Sequence, residues 1–353
     1  MLEDEVYSAL AEHLDGMPVG FPPSEERLEI LRVLFEPEEA RLAARLPYRD
    51  TPLPDIAAEL GMPEDELQGA LDAMASRGIV YKELKDGVAS YRLVPGLMGL
   101  REAPFWTGRD TEEARRLADL WLRYFRKAWG REIADRELPL VRVVPLEEDI
   151  DEAAEILPFE TAKELVEQAS FRAVSHCACR TMAAYAGGGC DHERENCFHF
   201  GSFGRFLAEQ GMGWEISLEE SVRKLEEARE AGLIFLTDNY QGEVNTLCCC
   251  CSCCCVFMRG RLELRFDNAV NTSSYLARVD RETCVGCGEC EERCPVGAVG
   301  LDEHELARVD RRLCLGCGVC VTNCTGGAIA LKRRDETTLV PTREEFMASM
   351  RRK

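Results

Sequence analysis

Residues 277–301 read ARVDRETCVGCGECEERCPVGAVGL, and residues 307–331 read ARVDRRLCLGCGVCVTNCTGGAIAL. The second stretch opens with the same Ala-Arg-Val-Asp-Arg and repeats the same C-x2-C-x2-C-x3-C spacing. Two residues between successive thiolates let a tight loop wrap three corners of an iron–sulfur core, while the fourth cysteine is aimed elsewhere. Gly286, Gly288, Gly316 and Gly318 stand where such a loop must close on the core. Zinc sites more often use two CxxC pairs well separated in sequence, so the spacing favours iron and sulfide.

These residues resemble the bacterial-type dicluster ferredoxin domain over 277–331. The resemblance implies a pseudo-twofold pair of short hairpins and helices around two 4Fe-4S clusters, with ligation crossed between the copies. Cys284, Cys287, Cys290 and Cys324 would hold one cluster; Cys314, Cys317, Cys320 and Cys294 would hold the other. The first copy keeps the family's proline, Pro295 after Cys294, whereas Thr325 follows Cys324 in the second. Proline has no N–H, and a threonine N–H could donate to cluster sulfur, so unequal potentials are expected.

The chain has 353 residues, 46% of them apolar, which suits a multidomain α+β protein. All nineteen cysteines lie between Cys177 and Cys324. In a reducing cytoplasm such usage argues for metal ligation over disulfides. The start, MLEDEVYSALAEHLDG, lacks the basic and apolar segments of a signal peptide, and no run of ~18 apolar residues offers a membrane span, so a cytoplasmic location is expected. A net charge of −21 and a pI near 4.8 disfavour nucleic acid and anionic lipid and favour a redox partner with a basic docking surface.

Residues 111–275 are expected to form a mainly helical, cysteine-rich middle domain, between a first unit at 1–100 and the ferredoxin-like unit at 276–333, with 334–353 as a C-terminal tail. Asp110 reads as the N-cap of a helix that stops at Gly130. A strand-like run starts at Leu138, a helix near Thr161, and Ser217 with Glu220 reads as a capping box. Among these lie SHCACR (175–180), GGGCDHERENCFHFG (187–201) and NTLCCCCSCCCVFM (245–258). Cys177, Cys179, Cys190 and Cys197 would complete one four-ligand set for zinc or a cubane, with His176, His192 and His199 as supporting or surface groups.

In the dense run, Cys248, Cys251 and Cys254 repeat C-x2-C-x2-C, a spacing that seven cysteines in eight positions can hardly avoid. An extended chain would send neighbouring thiols to opposite sides, and a helix would put Cys248, Cys251 and Cys255 on one face. Seven sulfurs cannot all reach one cubane, so two centres or a larger cluster would use more of them. A third iron–sulfur cluster, a zinc site and a redox-active thiol patch all stay open. The layout resembles uncharacterised cysteine-rich ferredoxin-type proteins of anaerobic bacteria across residues 155–333, which implies a metal-binding role without supplying a reaction.

Residues 24–95 give a helix SEERLEILRVLF, another around Ala40–Leu46, a pair turning at Gly61 with Pro63 opening the second member, and a hairpin about Asp86-Gly87. This resembles the winged helix-turn-helix family of DNA-binding regulators. The helix that would read DNA carries Glu64, Asp65, Glu66 and Asp72 against Arg77, and residues 24–95 hold 15 acids and 9 Lys or Arg. DNA readers need cations on phosphate, so protein docking or homodimerisation is the expected use.

Neither a Walker A loop, a G-x-G-x-x-G loop nor a G-x-S-x-G elbow is present. An electron-transfer protein is therefore expected. A redox-sensing winged-helix regulator and an iron–sulfur subunit of an oxidoreductase are the alternatives.

Overall fold

The computed structural model describes residues 3–350 except 135, 155, 157–158 and 336–339. Helices and strands mix throughout. No helix among the described residues is long and apolar enough to cross a membrane.

The N-terminal region stacks helices Glu3–Asp15, Glu25–Leu34, Pro37–Ala43, Leu53–Leu60 and Glu64–Ala75 ahead of the hairpin Val80–Lys85/Val88–Leu93. The Ser24 side chain caps its helix by accepting from Arg27 N–H. Asp86 and Gly87 both take positive φ, 51° and 80°, as a two-residue hairpin turn of primed type demands. Thr51–Pro52 pairs with Val88–Leu93 and completes a three-stranded sheet. Tyr81 of the hairpin packs on Phe206 with ring centroids 4.9 Å apart, so this region shares its core with the cysteine-rich residues.

The cysteine-rich region is built around a six-stranded antiparallel sheet that its sequence pattern does not announce. The order is Val141–Val143, Ile234–Asp238, Thr246–Cys250, Cys197–Phe200, Arg172–Ser175 and Trp214–Glu215. Two of these strands carry cysteine where valine or isoleucine would signal strand, and Ile234–Asp238 is buried along its whole length, so no polar alternation marks it.

Helices Glu112–Tyr124, Ala162–Gln168, Ala178–Tyr185, Gly201–Glu209, Leu218–Glu230 and Val256–Leu262 pack around the sheet. Two local expectations need correction. Thr111, not Asp110, caps the first helix by accepting from Ala114 N–H, leaving Asp110 to pair with Arg115. Gly130 does not stop that helix, because its φ of −56° is helical and the chain runs on through a wide turn at Phe125–Trp129 into Gly130–Ala134.

Residues 275–333 form a second, smaller core. Strand Tyr275–Val279 at the start of the first copy pairs with Ile329–Arg333 at the end of the second, and Val299–Leu301 pairs with Ala307–Val309. Each copy thus donates a strand to each ladder, the pseudo-twofold arrangement that a tandem repeat permits. This unit is docked on the rest: Gly318 lies against the buried Asp149, which Arg229 of the support binds at 2.5 Å, and Asp151 N–H donates to Leu331 O at 2.8 Å. A last helix, Arg343–Ser349, sets Phe346 against Tyr240, ring centroids 5.4 Å apart.

Candidate metal centres

Two concavities in the smaller core are lined by cysteine. One is walled by Cys284, Cys287, Cys290 and Cys324 with Val285 and Ile329. The other is walled by Cys294, Cys314, Cys317 and Cys320 with Val296 and Leu331. Each therefore gathers three cysteines from one copy and the fourth from the other.

The loops are tight enough to require glycine. A Cβ on Gly286 would stand 2.3 Å from Glu305 O, and one on Gly316 would stand 2.1 Å from Tyr275 O, with φ of +68° and +70°. Backbone N–H groups already aim at sulfur: Ala298 donates to Cys294 Sγ at 3.1 Å and Ala328 to Cys324 Sγ at 3.2 Å. Soft thiolates, apolar walls and N–H donors are what an iron–sulfur cubane needs. Residues 277–331 match the family model of the 4Fe-4S dicluster domain. No curated protein matches the chain.

The dicluster segment is not symmetric in exposure. Val285 in its first loop is 73% exposed, whereas Leu315, its counterpart in the second, is 1% exposed. Cys284 is partly exposed and Cys287 exposed, whereas their counterparts Cys314 and Cys317 are buried and partly exposed; Cys290 and Cys320 are both buried. The inner loop is covered by Asp149 and Ser273, and Ser273 Oγ donates to Gly316 O at 2.7 Å.

The eleven remaining cysteines divide by strand geometry. In Thr246–Cys250, Cys248 and Cys250 project to one face and Cys249 to the other, where it is 2% exposed in the core. Cys248 lies directly opposite Cys197 on the neighbouring strand, their sulfurs 4.0 Å apart. The thiol of Cys250 neighbours those of Cys248 and Cys255, and Cys255 neighbours Cys179. With Cys177 these make a six-thiol pocket of Cys177, Cys179, Cys197, Cys248, Cys250 and Cys255. Cys190 is not part of it. Its sulfur lies 3.8 Å from Cys251 and 3.7 Å from Cys254 instead.

The six-thiol pocket is electrostatically prepared for anionic sulfur. Cys177 and Cys255 are the N-caps of helices Ala178–Tyr185 and Val256–Leu262, so two helix N-termini face it. The fully buried Arg101 donates to Cys179 Sγ at 3.4 Å and pairs with Glu102. Arg180, also buried, braces the dense run by donating to Cys249 O at 2.7 Å. Burial pushes the Cys177 thiol up to about 11, while a hydrogen bond from Cys179 draws Cys255 down.

The structure thus splits the expected set Cys177, Cys179, Cys190 and Cys197, and it splits Cys248 from Cys251 and Cys254. Spacing singles out neither Cys250 nor Cys253, and it offers Cys255 only on a helix face; the two-residue period of a strand pairs Cys250 with Cys248, but only if the strand is known. His199 is buried against Ser175 Oγ at 2.8 Å and His176 faces Glu195 at 3.5 Å, both beside the cysteines and engaged elsewhere.

Proposed function

We propose that the chain is an electron carrier in which the dicluster segment holds two 4Fe-4S clusters, one on Cys284, Cys287, Cys290 and Cys324 and one on Cys314, Cys317, Cys320 and Cys294, with a further centre in the six-thiol pocket. The observation that carries this reading is the pair of concavities, each lined by three cysteines of one repeat and one of the other. Bound there, the clusters supply one-electron chemistry. The chain's own residues hold them, point N–H groups at sulfur and keep the inner site dry.

Exposure gives the route a direction. The outer loop at Val285 is the accessible end, and the inner loop is covered by Asp149 and Ser273. Around Val285 the exposed Glu282, Glu289, Glu291 and Glu292 suit a redox partner with a basic face. Cys294 is followed by proline and Cys324 by threonine, so we also expect unequal potentials, with Thr325→Pro narrowing the gap.

The order of helices and the three-stranded sheet at the N-terminus support a winged-helix-like unit and, with it, the second reading of a redox-responsive regulator. Its helix Glu64–Ala75 shows Glu64, Asp65 and Glu66 to solvent and ties Asp72 to Lys82 at 2.7 Å, which favours docking or homodimerisation over DNA.

Iron and acid-labile sulfide in anaerobically purified protein test the main reading. About eight of each correspond to two cubanes and about twelve or more to an occupied six-thiol pocket. Cys197→Ser should remove one cluster's worth of both. Iron at about eight in wild type and Cys197→Ser alike removes the third centre, and a folded, colourless, sulfide-free chain removes the whole reading.

A further inference from the structure

We infer that Cys190, Cys251, Cys253 and Cys254 form a separate site for a single tetrahedral metal ion, Zn2+ or Fe2+, held by four thiolates without inorganic sulfide. The site lies outside both repeats and outside the six-thiol pocket, so the inference stands whether or not a third cluster occupies that pocket.

Distance separates it from a cluster site. A metal–sulfur bond of ~2.3 Å in a tetrahedron sets neighbouring sulfurs about 3.8 Å apart. Cys190 Sγ lies 3.8 Å from Cys251 Sγ and 3.7 Å from Cys254 Sγ, and Cys253 Sγ lies 3.7 Å from Cys254 Sγ. All four sulfurs fall within 4.8 Å of one another. A cubane's thiolates bind four different irons, so an inorganic cube must hold them further apart. The same chain supplies the comparison: among the described residues, no other group of three or more ligand-type side chains closes to that mutual distance, the two dicluster sets included.

Backbone and charge agree. Three of the ligands come from the turn that follows strand Thr246–Cys250, where the chain curls before helix Val256–Leu262. The fourth comes from the end of Gly187-Gly188-Gly189, where Gly187 and Gly189 have φ of +80° and +110°. A tetrathiolate around a divalent ion carries a net charge of about −2, and the guanidinium charges of Arg180 and Arg259 act on Cys251 and Cys254. Cys251 and Cys254 are buried and Cys253 is exposed, so the ion would sit at the edge of the protein with its coordination complete. A closed set of that kind is structural: it staples the glycine loop to the dense run and thereby fixes Cys250 and Cys255, which flank the site in sequence and face the six-thiol pocket.

Elemental analysis with sulfide determination on anaerobically purified full-length protein tests this. Cys253→Ser, at an exposed position, and Cys190→Ser, on the loop, should each lose about one zinc or one iron per chain with sulfide unchanged. Limited proteolysis should then cut faster at Gly187–Cys190. Cys197→Ser should leave that ion in place, which separates failure of this site from failure of the third cluster. Loss of iron together with sulfide in Cys253→Ser, or folded variants with unaltered metal content, would overturn the inference.

Discussion

Asp238 shows how one buried residue can set a pH dependence. It ends the buried strand Ile234–Asp238, is 3% exposed, and accepts from Asn245 N–H at 2.7 Å. Burial raises its carboxyl to about 6, against ~3.9 in an unfolded chain. The folded state therefore holds the proton more tightly. Its stabilising contribution is complete below about pH 4 and is lost as pH rises through about 6, where the buried charge costs roughly 3 kcal/mol. Asp238→Asn keeps an acceptor for Asn245 without the charge. Denaturation at pH 5 and pH 8 should show its advantage over wild type growing by about 1–2 kcal/mol; a constant difference would assign the dependence elsewhere.

At the scale of single elements, the cluster-binding loops are the most constrained. Gly316 has no room for a Cβ, which would meet Tyr275 O at 2.1 Å and Ser273 Oγ at 2.2 Å, whereas Gly327 at φ +61° has nothing within 4 Å. Gly327→Ala should cost about 1 kcal/mol from its left-handed backbone alone. Gly316→Ala must also move backbone, so it should cost several-fold more in thermal denaturation and lower iron content; equal effects would mean that the loop has slack.

The loops were legible in sequence because four cysteines and two glycines at fixed spacing have few other uses. The dense run was not. Its geometry depends on being a strand up to Cys250, a turn from Cys251 to Cys254 and a helix cap at Cys255, and uniform side chains carry no periodicity to announce those changes. Likewise the six-stranded sheet escaped notice because its strands are short, cysteine-bearing or buried on both faces. The hairpin at Asp86-Gly87 was readable, because its turn chemistry is local.

Across the whole molecule, the dicluster segment rests on a buried ion pair of its support. Asp149 is 2% exposed and pairs with Arg229 at 2.5 Å, beside Gly318 in the inner loop. Burial pushes the Asp149 carboxyl up, against the pull of Arg229. Arg229→Ala leaves an uncompensated carboxylate and should destabilise by about 3 kcal/mol. Adding Asp149→Asn should recover part of that loss, and an additive double variant in equilibrium unfolding would show that the pair is not coupled.

The difference between Val285 and Leu315 also foretells how the protein ages. Oxygen and chelators meet the outer loop in open solvent and the inner loop beneath Asp149 and Ser273. In aerated samples the centre proposed on Cys284, Cys287, Cys290 and Cys324 should decay before the one proposed on Cys314, Cys317, Cys320 and Cys294, leaving a population with one surviving ferredoxin-type signal. Spectra taken during timed air exposure should lose the two signals in sequence, and simultaneous loss would mean that the covering residues offer no shelter.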